Sequence, residues 1–353
     1  MNWRAVRTVT VLELRQRVRS TRWKVMLGIW AVVLFLLCAG MQGLATLSDI
    51  DPTESAPLLY ELTLCFVLGI GLVIAPTLSA TSINSDRADA TLALLQATTL
   101  RASEIVFGKF VAAWTAALAF LTIALPFLAF FTAAGEMSAA TLLLHMLVMV
   151  ATLGTVCAVG LGFSATTARP AASTVLTYLV VTTLVVGTPL MTALATLVAK
   201  GKQTIVRYEI DYDNSTEHHK VCKQEPEVYT YDVVHGDRIW WIVAANPFVM
   251  LGDISLRTIA VDSDSYTGPA LLDFIGESID GMRDPVPSRV EFSCMTYTEE
   301  HYDDTHSRNA SPHVVFWPFS LAFICLGGAG CLVLASRCLR TPARTLAKGT
   351  RVA

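Results

Sequence analysis

The stretch "VMLGIWAVVLFLLCAGMQGLATL", Val25–Leu47, holds no acidic or basic side chain. A helix needs about 20 apolar residues to cross a bilayer core, so this run is long enough to do so. Five further stretches have the same character, near Leu58–Ala80, Ile105–Phe131, Ala139–Phe163, Ala172–Val198 and Val314–Ala335. Composition agrees: 53% of the 353 residues are hydrophobic and 16% charged, with a mean hydropathy of +0.52. A soluble domain carries nearer a quarter charged residues. Lipid offers no hydrogen-bond partner, so each span must satisfy its own backbone, which helices do and open sheets do not. The reading is an all-α polytopic membrane protein with six transmembrane helices. Pro76, Pro126 and Pro189 sit in or near spans. Each removes a backbone donor and bends its helix, as a packing adjustment rather than a gate.

Charge fixes the expected orientation. Residues 1–24 carry seven Lys or Arg against one acid, Glu13, and 337–353 carry five bases and no acid. Residues 200–313, by contrast, have about twice as many acids as bases. Basic flanks stay on the cytoplasmic side. Six crossings then put both termini, Ser82–Glu104 and the turn at Arg169 inside a plasma membrane, with 48–57, 134–138 and 200–313 outside. Five units follow: a cytoplasmic amphipathic elbow (1–24), spans one to five (25–199) with a cytoplasmic loop (82–104), an extracytoplasmic domain (200–313), span six (314–336) and a basic tail (337–353). The first apolar run is too long for a cleavable signal peptide.

Ser82–Glu104 reads "SINSDRADATLALLQATTLRASE". Ser85 is a plausible N-cap, with Asp86 and Asp89 in the first turn. Ala88, Thr91, Leu92 and Leu95 follow at helical spacing, and Lys109 is placed to snorkel to the interface. A plain connection in a helical bundle needs about 2–8 residues. This one is longer and patterned, as a docking element would be.

These residues resemble the first cytoplasmic loop of ABC-2-type exporter permeases. The match runs through Asp86–Arg87, Thr91–Leu92, Leu94–Leu95, Thr98, Leu100, Gly108 and Lys109, with Asp89–Ala90 where the family usually has glutamate–glycine. "VLELRQRVRSTRWKV" (Val11–Val25) looks like the family's elbow. "WWIVAANPFVMLGD" (Trp240–Asp253) and the tail look like those of actinobacterial members. The resemblance implies a type V exporter-like fold and a loop that seats on a separate ATP-hydrolysing subunit through Asp86, Arg87, Asp89, Thr91, Leu92 and Leu95. It also implies a second permease, as a homo- or heterodimer. No G-x-x-x-x-G-K-[ST] phosphate loop occurs, so the chain is not expected to be an enzyme or to hold a cofactor. ATP and Mg would belong to the partner. Nucleic acid is not an expected partner.

The long segment 200–313 is expected to be a small α+β unit. "TIVRYEIDY", "EVYTYDVV" and "SRVEFSCMTY" alternate with period two, as strands do. Pro269–Met282 has helical spacing, and Ile239–Leu251 reads as a re-entrant or interfacial helix. Cys222 and Cys294 are the two cysteines away from the spans, so a disulfide between them is predicted. Six of the seven histidines also fall here, as a solvated surface rather than a metal site. His145 and Glu61 are ionisable groups inside spans, where such groups are costly and default to functional candidates. His145 is either a path residue or a neutral ring bonded to a carbonyl. Glu61 either lines a translocation exit or reaches headgroups. The function expected is an ATP-driven exporter permease for an amphiphile, peptide or lipid. The alternative is a receptor-like protein sensing a ligand through segment 200–313.

Overall fold

The computed structural model describes residues 2–49, 51–88, 100–212, 215, 221–258, 271–294 and 313–340. Helix α1 (Trp3–Arg19) is capped by Asn2, whose Oδ1 accepts from the Arg4 N–H at 3.1 Å. One extended residue, Ser20, separates it from α2 (Thr21–Leu47). Helix α3 (Pro52–Ser79) starts with a proline at its first position, where no donor is lost, and Asp51 caps the Thr53 N–H at 3.1 Å. A one-turn break leads into α4 (Ser82–Ala88). Then come α5 (Ala102–Ala134), α6 (Ala139–Thr166), α7 (Pro170–Thr182) and, past a π-turn at Thr183–Gly187, α8 (Thr188–Val198).

Among the described residues, six helical stretches are long and apolar enough to cross a membrane: α2, α3 with α4, α5, α6, α7 with α8, and α12 (Trp317–Arg340). This is the pattern of a multi-pass membrane protein. The crossings fall where hydropathy places them, with ends displaced by a few residues. Helices α3, α5 and α6 form the centre: Tyr60, Leu64, Leu68, Phe120, Leu128, Met149 and Leu153 share one buried cluster. By contrast, only 17% of the α2 window and 6% of the α7–α8 window are buried, so these two spans offer apolar flanks to lipid or to another chain.

The crossings define two ends. One, the loop end, gathers α1, α4, the start of α5, and the finishes of α6 and α12 around Ile83, Ile105, Val106, Leu161, Ala335 and Leu339. The other, the sheet end, carries the segment between α8 and α12. Strand β1 (Lys200–Arg207) follows α8 with only Ala199 between them, and the Ala199 carbonyl accepts from the His235 N–H at 2.8 Å. It pairs antiparallel with β2 (Glu227–Val234) and parallel with β3 (Arg289–Phe292), giving the order β2-β1-β3. The predicted disulfide joins Cys222 and Cys294, with Cα atoms 5.5 Å apart. A bridge closing so long a loop stabilises by about 2–4 kcal/mol.

Between β2 and β3 the chain turns back on the bundle. A short α9 (Trp241–Ala244) leads to α10 (Pro247–Thr258), and α11 (Leu271–Gly281) packs on it. The two cross at glycines, because a Cβ on Gly252 would sit 2.7 Å from the Leu272 carbonyl oxygen. Met250, Leu251, Ile254 and Leu272 are buried in the same cluster as Leu64 and Met149. The stretch from Ala245 into α10 thus packs against the spans' own core, with Ala245 and Phe248 half-buried on it. It also repairs a helix. Pro189 lacks the N–H that would meet the carbonyl of Val185, four residues earlier. The π-turn lies there, and Asn246 donates its amide to the Val185 oxygen at 3.0 Å. Kinks at proline and π-turns arise where the ladder must be re-satisfied in this way.

Candidate functional site

The loop end holds the residues that the sequence marks most strongly. Lys109 lies two turns into α5, with its side chain 1% exposed. It does not snorkel. Its Nζ is 2.5 Å from Glu13 Oε1 on α1 and 2.6 Å from Asp86 Oδ2 on α4. One ammonium therefore joins three elements. A buried cation needs such compensation, since taking it out of water costs several kcal/mol. Glu13, the single acid among the first 24 residues, is spent on this pair.

Gly108, beside it, is what lets α1 come close. A Cβ there would stand 2.7 Å from Val9 Cβ and 3.2 Å from the Val6 carbonyl oxygen. Thr10 Oγ1 then donates to the Gly108 carbonyl at 3.1 Å, and the Asn2 N–H donates to Glu104 Oε1 at 2.7 Å. Arg17 reaches further and donates to the Leu78 carbonyl at 2.9 Å, at the end of α3, where helix carbonyls lack partners. Burial lowers the Arg17 guanidinium from its ordinary value, opposed by the charge of Glu13. The glycine–lysine pair thus has two physical jobs: close approach for α1 and a counter-charge for two acids.

Helix α4 is fastened on its other side as well. Arg87 donates to the carbonyls of Ala165 (3.0 Å) and Thr167 (3.4 Å) at the end of α6. The N–H groups of Ile83 and Asn84 donate to Ser164 Oγ at 3.0 and 3.1 Å. Ser173 Oγ, on α7, donates to the Ala80 carbonyl at 2.6 Å. Ser85 is not an N-cap. It sits inside α4 and its hydroxyl donates back to the Thr81 carbonyl, because the helical chain of α3 nearly continues through it. Of the loop residues singled out in the sequence, Asp86 and Arg87 are brought into these contacts. Asp89, Thr91, Leu92 and Leu95 lie outside the described residues.

Glu61 and His145 both lie toward the sheet end, each bonded to the segment between the fifth and sixth spans. His145 is fully buried, with Nδ1 2.9 Å from Tyr60 Oη and Nε2 3.2 Å from the Leu251 carbonyl. A carbonyl only accepts, so Nε2 carries a proton and donates to it. The bond to a carbonyl is the one that the simpler sequence reading expects. Glu61 does not reach out toward headgroups. It is fully buried and its Oε2 accepts from the Leu272 N–H at 2.7 Å, so it caps the start of α11. Hydropathy could not show this, because the donor lies 211 positions away in another segment.

A third anchor was not singled out in the sequence. Asp253 of α10 is 1% exposed. Its Oδ2 accepts from the N–H groups of Phe316 (3.0 Å) and Trp317 (3.1 Å) where α12 starts, and its Oδ1 accepts from Arg257 Nε at 3.0 Å. Arg283 stacks over Trp240 at 4.9 Å and over Phe316 at 5.6 Å from the ring centroids. The aspartate at the end of "NPFVMLGD" was the only available signal.

No family model matches the chain, and no curated protein matches it.

Proposed function

We propose that this chain is the membrane-spanning permease subunit of an ATP-driven ABC exporter, with the loop end facing the cytoplasm and the sheet end outside. The observation that carries the reading is the buried Lys109, held between Glu13 and Asp86. The segment 89–99 starts from α4 and returns into α5, and both roots are fastened to each other and to α1. A force applied to that segment by a separate subunit would therefore reach α1, α3 and α5 together rather than dissipate in a slack linker. The resemblance of the segment to a coupling helix names the source of the force. ATP and Mg would belong to that subunit.

In this mechanism, closure of the partner ATPases pushes on 89–99 and the clamp passes the displacement to the spans. A cavity between two permeases then opens outward for an amphiphile, peptide or lipid. Leu92→Asp with Leu95→Asp would place charges on the docking face. The double variant should insert and purify normally, yet lose export and the transport-stimulated part of ATP turnover. The test is mild-detergent purification with mass spectrometry, followed by transport in reconstituted vesicles. Normal export by the double variant would overturn the docking assignment. Purification that never recovers an ATP-binding partner, with a specific ligand bound to 200–313, would support the receptor-like alternative instead.

A further inference from the structure

We infer that the outward face of α1 is a docking surface for anionic phospholipid headgroups. Its inward face is spent on the bundle through Val6, Val9, Thr10 and Glu13. The opposite face exposes Arg4, Arg7, Arg15 and Arg19. No acid offsets them there, since Glu13 points at Lys109. Four guanidinium groups on one helix face form a strong anion-binding surface, because each can grip phosphate oxygens in a two-pronged geometry.

Two further observations select lipid over a soluble anion. First, apolar side chains alternate with the arginines: Trp3 is 66% exposed, Leu12 50% and Val18 55%. Val11, Leu14 and Val18 form the floor of a shallow open groove whose rims are Arg15 and Arg19. A free phosphate has no use for that floor, whereas a headgroup with its glycerol and first methylenes does. Second, only Ser20 separates α1 from the apolar span α2, so Arg15 and Arg19, which line the groove, lie within about one or two turns of the start of that span. Basic residues so placed attract anionic lipid by about one order of magnitude in affinity for each one or two contacts. This inference does not depend on the exporter reading.

The test uses the full chain in neutral detergent, titrated with phosphatidylglycerol or phosphatidylcholine of matched acyl chains and read by native mass spectrometry. The wild type should retain phosphatidylglycerol at least about tenfold more tightly. Arg4→Gln, Arg7→Gln, Arg15→Gln and Arg19→Gln together should abolish the preference. Lys200→Gln with Lys202→Gln, at the sheet end, should leave it intact. If the quadruple variant does not stay monodisperse, Arg15→Gln with Arg19→Gln removes the groove rims alone and should lower the preference at least threefold or so. Equal affinity for both lipids in the wild type, or a preference that survives these substitutions, would overturn the inference. So would equal competition by glycerol phosphate, which has no acyl chain. Shielding of these arginines from a guanidine-modifying reagent by a co-purified protein, but not by phosphatidylglycerol, would assign the face to that protein and overturn it as well.

Discussion

The two ends of the bundle are fastened by different chemistry. At the loop end, beside arginines that reach helix-end carbonyls, one buried ammonium sits between two carboxylates from separate helices. At the sheet end, buried carboxylates and an amide cap helix starts and meet a helix carbonyl, Glu61 on Leu272, Asp253 on Phe316 and Trp317, Asn246 on Val185, with Arg257 paired to Asp253 beside them. Caps and repaired carbonyls fix where a helix starts and cannot be exchanged without local unfolding. An ion pair between three separate elements can be opened by competing for one charge.

The sharpest way to break this comparison is to strip the clamp of its acids. Glu13→Gln with Asp86→Asn leaves the Lys109 ammonium buried and uncompensated, with an expected loss of about 3–5 kcal/mol. Thermal unfolding in detergent measures it. Adding Lys109→Met to the pair removes the stranded charge and should recover most of the loss, because a neutral apolar core is often no less stable than a buried pair. A triple variant no more stable than the double would mean that the clamp is not what holds α1.

Asp253→Ala tests the other end, with a smaller effect. It deletes the cap at the start of α12 and the partner of Arg257, at a cost of about 2–3 kcal/mol. Hydrogen exchange should quicken at the Phe316 and Trp317 amides and stay unchanged at the Ile83 and Asn84 amides. Equal quickening at both ends would show that they open as one unit and erase the distinction drawn here.

The smallest effect is on pH dependence at the rim of the sheet. Lys223 Nζ donates to Glu209 Oε2 at 2.8 Å, which lowers the Glu209 carboxyl below its ordinary value and raises Lys223 above its own. A carboxyl lowered on folding stabilises above its unfolded value, about 4.3, and that contribution fades as pH falls through the lower folded value. The raised lysine is the mirror case: its contribution is complete below about 10.4 and fades as pH rises through the higher folded value. Lys223→Gln should move the Glu209 midpoint back up, as read by carbon-detected NMR titration. An unmoved midpoint would place the pair's charges outside effective contact.

How much of this was legible follows from what each feature depends on. Span number, strand segments and the α11 helix depend on local composition and period, so "EVYTYDVV" and Val25–Leu47 declare themselves. The disulfide was legible by location, since two cysteines alone lay away from the spans. The clamp was half legible. A lone acid in a basic N-terminus and a lysine inside a span were both visible, but nothing local said that they meet across 96 positions. Snorkelling was the sensible expectation for Lys109 in isolation, and tertiary pairing overrode it. Ser85 misled for a related reason: a serine before two acids looks like a start only when the preceding helix is assumed to have stopped.

The junction at Ala199 has a mechanical consequence. The fifth span becomes a β-strand after a single residue, and that residue is itself bonded to His235, just past the end of β2. No hinge separates the two, so tilting the shaft must swing the plate fixed to it. Any rocking of α7–α8 within the bilayer would be written at the rim of the sheet as a larger arc, on a part of the molecule open to water.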